Sequence, residues 1–186
     1  MNIYVRGLIA ASGLTVLLLG FWFLYGVKVA EKPGVNTLSV LDRLEKDGVP
    51  PFTLPDMAGH SYSSDSLKGQ IVVLNFWATW CPPCVAEFPS MIALAEHYKG
   101  SVKLVTIAAD EKKEDVERFT GALKLKSAHW VALWDPDQKI AKEFGTIKLP
   151  ETYILDKDAK LVKKVVNALD WTAPPVLKYF DELLKK

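Results

Sequence analysis

The clearest hydrophobic pattern in the chain is the nearly continuous apolar run at residues 71–77, which predicts a central strand covered on both faces. After this run, strand-like and helix-like segments alternate along the chain. The predicted strands are 102–108, 129–133, 153–155 and 161–166, and the predicted helices are 85–99, 112–123, 138–144 and 174–184. Pro89 should kink the first of these helices, because it removes a hydrogen bond and crowds the preceding turn. The alternation predicts an α/β domain built in layers.

Two shorter segments precede the central strand. Residues 52–54 and 61–64 flank a turn at 56–59, and this pattern predicts a small N-terminal β-hairpin. Residues 29–49 contain a Pro-Gly pair and a short amphipathic piece, and they are interpreted as a tether. The globular domain is therefore predicted to span residues 50–186.

The first 28 residues contain a different kind of apolar segment. Residues 7–27 form an uncharged run of 21 residues between Arg6 and Lys28. At 1.5 Å per residue it would span about 31 Å, which matches the hydrocarbon core of a bilayer. We predict one transmembrane helix in residues 1–28, and we expect it to stay uncleaved, because the run exceeds a signal core of about 7–15 residues. A cleaved product is the alternative. The short N-terminal tail favours a domain outside the cytoplasm.

Composition narrows the classes of partner. The chain of 186 residues has a net charge of +1 with acids and bases intermixed, so it offers no polybasic face and nucleic acid is not expected to bind. Its three histidines are isolated and its two cysteines lie three positions apart. These residues cannot form a disulfide framework or a four-cysteine zinc site, so no metal site is predicted.

The candidate chemistry is the pair Cys81 and Cys84, which follows the central strand directly and opens a predicted helix. The first sulfur then lies near the helix N-terminus, where the helix dipole favours a thiolate. Cys81 can attack a disulfide of a partner protein, and Cys84 can resolve the mixed disulfide. Such an enzyme needs no cofactor besides its own redox-active disulfide. Two structural cysteines or half of a metal site are the alternative interpretation.

The two residues between the cysteines affect the direction of electron flow. Pro82 and Pro83 lack N–H groups, so two candidate hydrogen-bond donors to the Cys81 sulfur are missing. A less stabilised thiolate makes the oxidised pair a weaker oxidant. We therefore predict that this dithiol acts as a reductant.

The stretch 75–89, Asn-Phe-Trp-Ala-Thr-Trp-Cys-Pro-Pro-Cys-Val-Ala-Glu-Phe-Pro, resembles the TlpA/ResA-like membrane-anchored thioredoxins. The resemblance extends from about residue 50 to the C-terminus and includes the predicted hairpin. It implies a thioredoxin-like fold, with a central mixed sheet flanked by helices, and the activity of a thiol-disulfide oxidoreductase.

The resemblance also assigns roles to single residues. It implies that the Leu149-Pro150 bond is cis and lines the substrate groove with Trp80 at its rim; an ordinary trans proline is the alternative. Glu87 matches an acidic residue that assists proton transfer, whereas an exposed helix charge is the rival interpretation. Glu151 resembles the Pro-Glu-Thr of relatives that reduce apocytochrome c, and it is therefore placed in the substrate groove.

Together these observations favour a single-pass protein of the cytoplasmic (inner) membrane whose domain reduces protein disulfides on the periplasmic or extracytoplasmic side. Disulfides of apocytochrome c are the candidate substrates, and a membrane thiol donor of the CcdA/DsbD type is the candidate source of electrons. Two alternatives stay open. A peroxiredoxin-like peroxidase would share the hairpin, although the residues before Cys81 lack the Pro-x-x-x-Thr-x-x-Cys pattern. A metallochaperone would bind Cu(I) through the two sulfurs.

Overall fold

The computed structural model describes residues 20–21, 37–123 and 127–185. The predicted membrane anchor lies outside the described residues, apart from Gly20 and Phe21. None of the helices in the described ranges is both long and apolar enough to cross a membrane. The compact unit that carries the predicted domain begins at Thr37.

The described domain contains five helices and seven strands. The strands are β1 (Thr53–Pro55), β2 (Ser61–Ser63), β3 (Ile71–Trp77), β4 (Val102–Ala108), β5 (Trp130–Trp134), β6 (Glu151–Leu155) and β7 (Leu161–Val166). The helices are α1 (Thr37–Asp47), α2 (Pro82–His97), α3 (Lys113–Ala122), α4 (Lys139–Glu143) and α5 (Pro174–Leu183). Every strand and helix predicted downstream of residue 50 is present, with ends that differ by a few residues.

Five strands form one mixed sheet in the order β5-β4-β3-β6-β7. Strands β3, β4 and β5 are parallel, whereas β6 runs antiparallel to β3 and β7 antiparallel to β6. The hairpin of β1 and β2 forms a separate sheet that touches β5 through a bridge between Asp56 and Leu133. The arrangement is thioredoxin-like, as predicted.

The central strand β3 is buried along its whole length, and its side chains alternate between two helical layers. Ile71, Val73 and Trp77 join the core cluster that contains residues of α2, α3 and α5. Val72, Leu74 and Phe76 join the cluster that contains residues of α1 and α4. The phase of this alternation places Asn75 on the same face as α2, which is the face that carries the dithiol.

The boundary predicted at residue 50 differs from the structure. Residues 37–47, which were assigned to a tether, form α1, and this helix buries Val40 and Leu44 in the core cluster on the second face of the sheet. The amphipathic piece is therefore part of the domain. Burying two aliphatic side chains stabilises such a helix by several kcal/mol, at about 1.5–3 kcal/mol for each.

Candidate active site

The dithiol lies at the carboxyl end of β3, where the chain turns into α2. Cys81 is the N-cap of α2, and Pro82 and Pro83 occupy its first two positions. Cys81 and Cys84 form a disulfide, with Cys81 6% exposed and Cys84 fully buried. Pro82 and Pro83 have no backbone N–H group to donate to the Cys81 sulfur. The first backbone N–H available at the N-terminus of α2 is therefore that of Cys84.

A buried carboxylate that the sequence analysis missed holds the loop before the dithiol. Asp110 accepts hydrogen bonds from the backbone N–H of Thr79, at 3.1 and 3.2 Å to its two oxygens, and from the Thr79 hydroxyl. The Trp134 indole donates to the Asp110 carbonyl at 2.7 Å. Asp110 follows β4 directly, and β4 is the parallel neighbour of β3, so their carboxyl ends lie side by side. That adjacency is the signal that would have found it.

A groove of about 400 Å³ opens beside Cys81. Trp80 and Leu149 line it, and the Leu149-Pro150 peptide bond is cis. Ile147, which the sequence analysis did not single out, also lines the groove and is 79% exposed, while Trp80 is 66% exposed. Pro150 itself is buried below the groove. Two large exposed apolar side chains thus line the groove beside Cys81.

Glu87 is buried, with 4% of its surface exposed, so the exposed interpretation is wrong. One carboxylate oxygen, Oε2, accepts hydrogen bonds from the Leu169 backbone N–H at 3.2 Å and the Trp171 indole N–H at 3.1 Å. The other, Oε1, accepts from the Asn75 side-chain amide at 3.1 Å. Burial raises the pKa of Glu87 above its ordinary value, and these three neutral donors offset only part of that effect.

Glu87 and Cys84 share one helix and lie three residues apart. Side chains at this spacing are neighbours on a helix surface, with about 5–6 Å between their Cβ atoms. A carboxyl group with a raised pKa is suited to exchange a proton near neutral pH. The arrangement can therefore move a proton to or from the buried half of the dithiol.

Glu151 departs from its predicted place in the groove. Its side chain is 1% exposed, and its carboxylate forms an ion pair with Lys164 at 2.7 Å and accepts a hydrogen bond from the Tyr153 hydroxyl at 3.2 Å. Residues 151 and 152 alternate along β6, so Glu151 faces the second core cluster and only Thr152 faces α2. The ion pair supports the segment before the groove, because Lys164 donates to the Gly145 carbonyl and Tyr153 to the Phe144 carbonyl.

Of the predicted site residues, the structure brings Cys81, Trp80 and Leu149 together around one groove. Glu87 lies behind the dithiol, and Glu151 lies beneath the groove on the opposite face of the sheet. The donors Leu169 and Trp171 come from the segment after β7, some 80 residues from Glu87 along the chain, and no local pattern pointed to them. In the part of the chain that the structure describes, no three His, Cys, Asp or Glu residues are grouped to hold a metal ion.

Comparison with known proteins agrees with this geometry. Residues 46–164 match the model of the AhpC/TSA family. Thiol-disulfide oxidoreductase ResA of Bacillus thuringiensis strain Al Hakam is 38% identical over 119 residues, which cover 63% of this chain and 67% of that protein. ResA of Bacillus subtilis is 32% identical over 126 residues, which cover 67% of this chain and 69% of that protein.

Among solved structures, the crystal structure of StoA from Bacillus subtilis superposes with a TM-score of 0.57 at 26% identity, and the match covers 74% of this chain and 97% of StoA. The sequence relatives and the structural relative agree on the same domain, which carries the Cys81–Cys84 disulfide. The chain therefore belongs to the AhpC/TSA family and is a ResA-like thiol-disulfide oxidoreductase of the thioredoxin fold.

Proposed function

We propose that this enzyme reduces disulfides of other proteins outside the cytoplasm, with Cys81 as the nucleophile and Cys84 as the resolving thiol. The observation that carries the proposal is the position of the disulfide at the start of α2. There one sulfur borders the open groove and the other is buried one turn from Glu87. This asymmetry supports different roles for the two cysteines.

The reaction begins with the reduced enzyme. The Cys81 thiolate attacks one sulfur of the partner disulfide, the partner S–S bond breaks, and the second partner sulfur leaves as a thiolate. Cys84 then loses its proton to the Glu87 carboxylate and attacks the Cys81 sulfur. The partner, which has accepted two electrons, leaves as two thiolates that take up the proton held by Glu87 and one from solvent, and the enzyme is left as the Cys81–Cys84 disulfide.

The proline pair at the start of α2 supports a low reduction potential for the dithiol, so that it acts as a reductant. A helix N-terminus stabilises a thiolate through its free N–H groups, and here two of those groups are absent. A glutathione redox titration of the dithiol measures this potential. We expect a potential well below the roughly −120 mV of a strong disulfide donor, and a value near that potential would overturn the reductase assignment.

The groove supports a polypeptide substrate. Trp80 and Ile147 offer exposed apolar surface beside the reactive sulfur, and such patches mark interaction sites. Disulfides of apocytochrome c are the candidate substrates, because Pro150-Glu151-Thr152 resembles the sequence of relatives that act on them. Re-reduction of the enzyme is assigned to a membrane thiol donor of the CcdA/DsbD type, and the uncharged run at residues 7–27 is proposed to hold the domain at the outer face of the cytoplasmic membrane.

Trapping tests the substrate directly. In Cys84→Ala the mixed disulfide on Cys81 cannot be resolved, so the partner stays covalently bound and can be identified. The matched control is Cys81→Ala, which lacks the groove-side thiol and should trap far less. Recovery of no partner by Cys84→Ala, together with failure to reduce a Cys-x-x-Cys disulfide of apocytochrome c in vitro, would contradict the assignment to cytochrome c maturation.

A further inference from the structure

The polar cluster behind the dithiol contains one buried atom that lacks a partner. The side-chain amide nitrogen of Asn75 donates to both Glu87 Oε1, at 3.1 Å, and Thr152 Oγ1, at 2.9 Å. The amide oxygen of the same side chain has no hydrogen-bond partner among the described residues, although Asn75 is fully buried. A buried carbonyl oxygen without a donor is costly, so this arrangement requires an explanation.

The two oxygens of Glu87 are not equivalent proton acceptors. Oε2 receives N–H donors from the Leu169 backbone and the Trp171 indole, and neither donor has a lone pair with which to accept a hydrogen bond in return. Trp171 is fully buried and its backbone N–H is also held by Ser90 Oγ at 3.2 Å. A proton placed on Oε2 would meet two fixed donors. A proton placed on Oε1 meets only the Asn75 amide.

The Asn75 amide can present either a donor or an acceptor, because a half-turn about its last side-chain bond exchanges its nitrogen and oxygen. The Thr152 hydroxyl can likewise donate or accept. Thr152 is the register partner of Asn75 across β3 and β6, so it stays beside the amide in both orientations. The hydrogen bonds that link Glu87, Asn75 and Thr152 can therefore reverse their donor and acceptor roles without any movement of the backbone.

We propose that Asn75 is a positioning residue that rotates with the protonation of Glu87, and that the proton is carried on Oε1. We assign the observed arrangement, in which the Asn75 nitrogen donates to Oε1 and to Thr152, to the ionised state of Glu87. On protonation an O–H bond forms at Oε1, the two hydrogen bonds donated by the Asn75 amide are lost, and after the half-turn Oδ1 accepts hydrogen bonds from Oε1–H and from the Thr152 hydroxyl. Glu87 keeps three hydrogen bonds and Asn75 keeps two in each state.

The rotation gives the unpaired oxygen two donors in the protonated state, and in that state the amide nitrogen takes the unpaired position. It also explains why an amide suits position 75. A carboxylic acid there would add a second titrating group beside Glu87, whereas the amide stays neutral while its hydrogen bonds reverse. The inference rests on the proposed function only for the use of the proton in thiol exchange.

Among the residues that the structure describes, no cation lies against the Glu87 carboxyl to take over the part of the Asn75 amide. The groups that act on its carboxyl are neutral: Asn75 from β3, the Leu169 amide and the Trp171 indole. Asp170 is the other charged side chain that lines the cleft beside Glu87 in the described part of the chain. Hydrogen bonds from Thr172 lower the pKa of Asp170, so it stays ionised while Glu87 titrates. The remaining titratable neighbours are the thiols of the reduced dithiol at the start of α2.

Nuclear magnetic resonance on the full-length oxidised protein tests the rotation. Labelling with ¹⁵N-asparagine gives side-chain amide signals from four residues only, Asn2, Asn36, Asn75 and Asn167. The Asn75 pair is assigned by its loss in Asn75→Leu or, if that variant does not fold, by through-bond experiments on the wild type. The Glu87 carboxyl carbon is followed in the same titration.

We expect both Asn75 amide protons to lie downfield when Glu87 is ionised and to shift upfield on acidification, with the midpoint shown by the Glu87 carboxyl carbon. Glu87→Gln should hold them upfield at every pH, because its amide nitrogen must occupy the Oε1 position and needs an acceptor. The matched control Glu96→Gln, an exposed change on the same helix, should titrate like the wild type. Asn75 signals that stay downfield through the Glu87 titration, or in Glu87→Gln, would overturn the rotation. Thiol-exchange rates do not enter this measurement, so the reductase assignment and the rotation can fail separately.

Discussion

Two buried glutamates lie on opposite faces of the same sheet, and their environments differ in one respect. Glu87, on the face with α2, accepts three hydrogen bonds from neutral groups. Glu151, on the other face, contacts the Lys164 ammonium at 2.7 Å. Both carboxyls are almost fully removed from solvent. The ion pair with Lys164 makes Glu151 a brace for the groove segment, whereas burial among neutral donors raises the pKa of Glu87.

Burial alone does not distinguish a structural carboxylate from one that takes part in proton transfer. The charge of the groups that contact the carboxylate does. A buried carboxylate with a cation at contact distance is held in an ion pair that is costly to break. A carboxylate held only by neutral donors can change its protonation state at modest cost. This distinction leads to four testable predictions.

Removal of the cation should expose the structural role of Glu151. Lys164→Met leaves a buried carboxylate without its partner, and breaking such a pair costs about 3–5 kcal/mol of the free energy of unfolding. Urea denaturation measures the loss. Lys163→Met is the matched control, because Lys163 is the exposed neighbour on the same strand and its ammonium contacts the Tyr179 ring, at 5.0 Å. Its expected cost is at most about 1 kcal/mol.

The double variant sharpens this first prediction. In Glu151→Gln/Lys164→Met no buried charge is left unpaired, so most of the lost stability should return. If Lys164→Met were no less stable than Lys163→Met, the ion pair would not be buried in solution and the contrast between the two glutamates would disappear.

Glu87→Gln should affect chemistry more than stability. Because the amide cannot accept a proton from Cys84, we expect the resolution of mixed disulfides near neutral pH to slow by about 10²-fold. The pH dependence of that step should flatten as well. Stopped-flow measurement of mixed-disulfide decay provides the rate, with Glu96→Gln as the exposed control on α2. An unchanged rate and pH profile would remove Glu87 from the mechanism.

The stability of the fold should itself report the raised pKa of Glu87. Between the unfolded value of 4.5 and the higher folded value, the folded state binds more protons than the unfolded state. Stability from this group is therefore complete below pH 4.5 and falls as the pH rises through the folded pKa. Urea midpoints of the wild type and Glu87→Gln, compared across pH, should diverge in favour of the variant as the pH rises. A constant difference would mean that the carboxyl is not perturbed.

The sequence predicted the parts of this site that depend on local order along the chain. The apolar run of β3, the cysteines that follow it and the helix that they open are contiguous, so their placement followed from strand and helix patterns. The cis bond before Pro150 followed from the family resemblance and is confirmed. Glu151 was placed in the groove because the alternation of side chains along β6 was not considered. That alternation turns Glu151 to the opposite face of the sheet.

Contacts between distant segments could not be read from local patterns. Asp110 and Trp171 reach the site from other elements, and only the sheet order brings Asp110 beside Thr79. Helix α1 was taken for a tether because an amphipathic segment of 11 residues does not reveal which surface covers it. In each case the interacting partner lies far away along the chain and is brought close only by tertiary packing.

The smallest expected effect concerns the segment that Glu151 braces. Ile147→Ser removes exposed apolar surface that a substrate would cover, at a cost of about 1–1.5 kcal/mol of binding, which corresponds to a roughly tenfold rise in KM. Neither kcat nor the unfolding free energy should change, because Ile147 is largely exposed in the free enzyme. Glu151→Gln, in contrast, should alter KM and stability together, since it acts through the fold.

Val162→Ser is the matched control for this last change, because Val162 is also an exposed aliphatic residue but lies on β7 and does not line the groove. Steady-state reduction of a protein disulfide gives KM and kcat for both variants. A rise in KM that is equal in both would assign the effect to general surface hydrophobicity. A rise confined to Ile147→Ser would show that the groove contacts substrate directly.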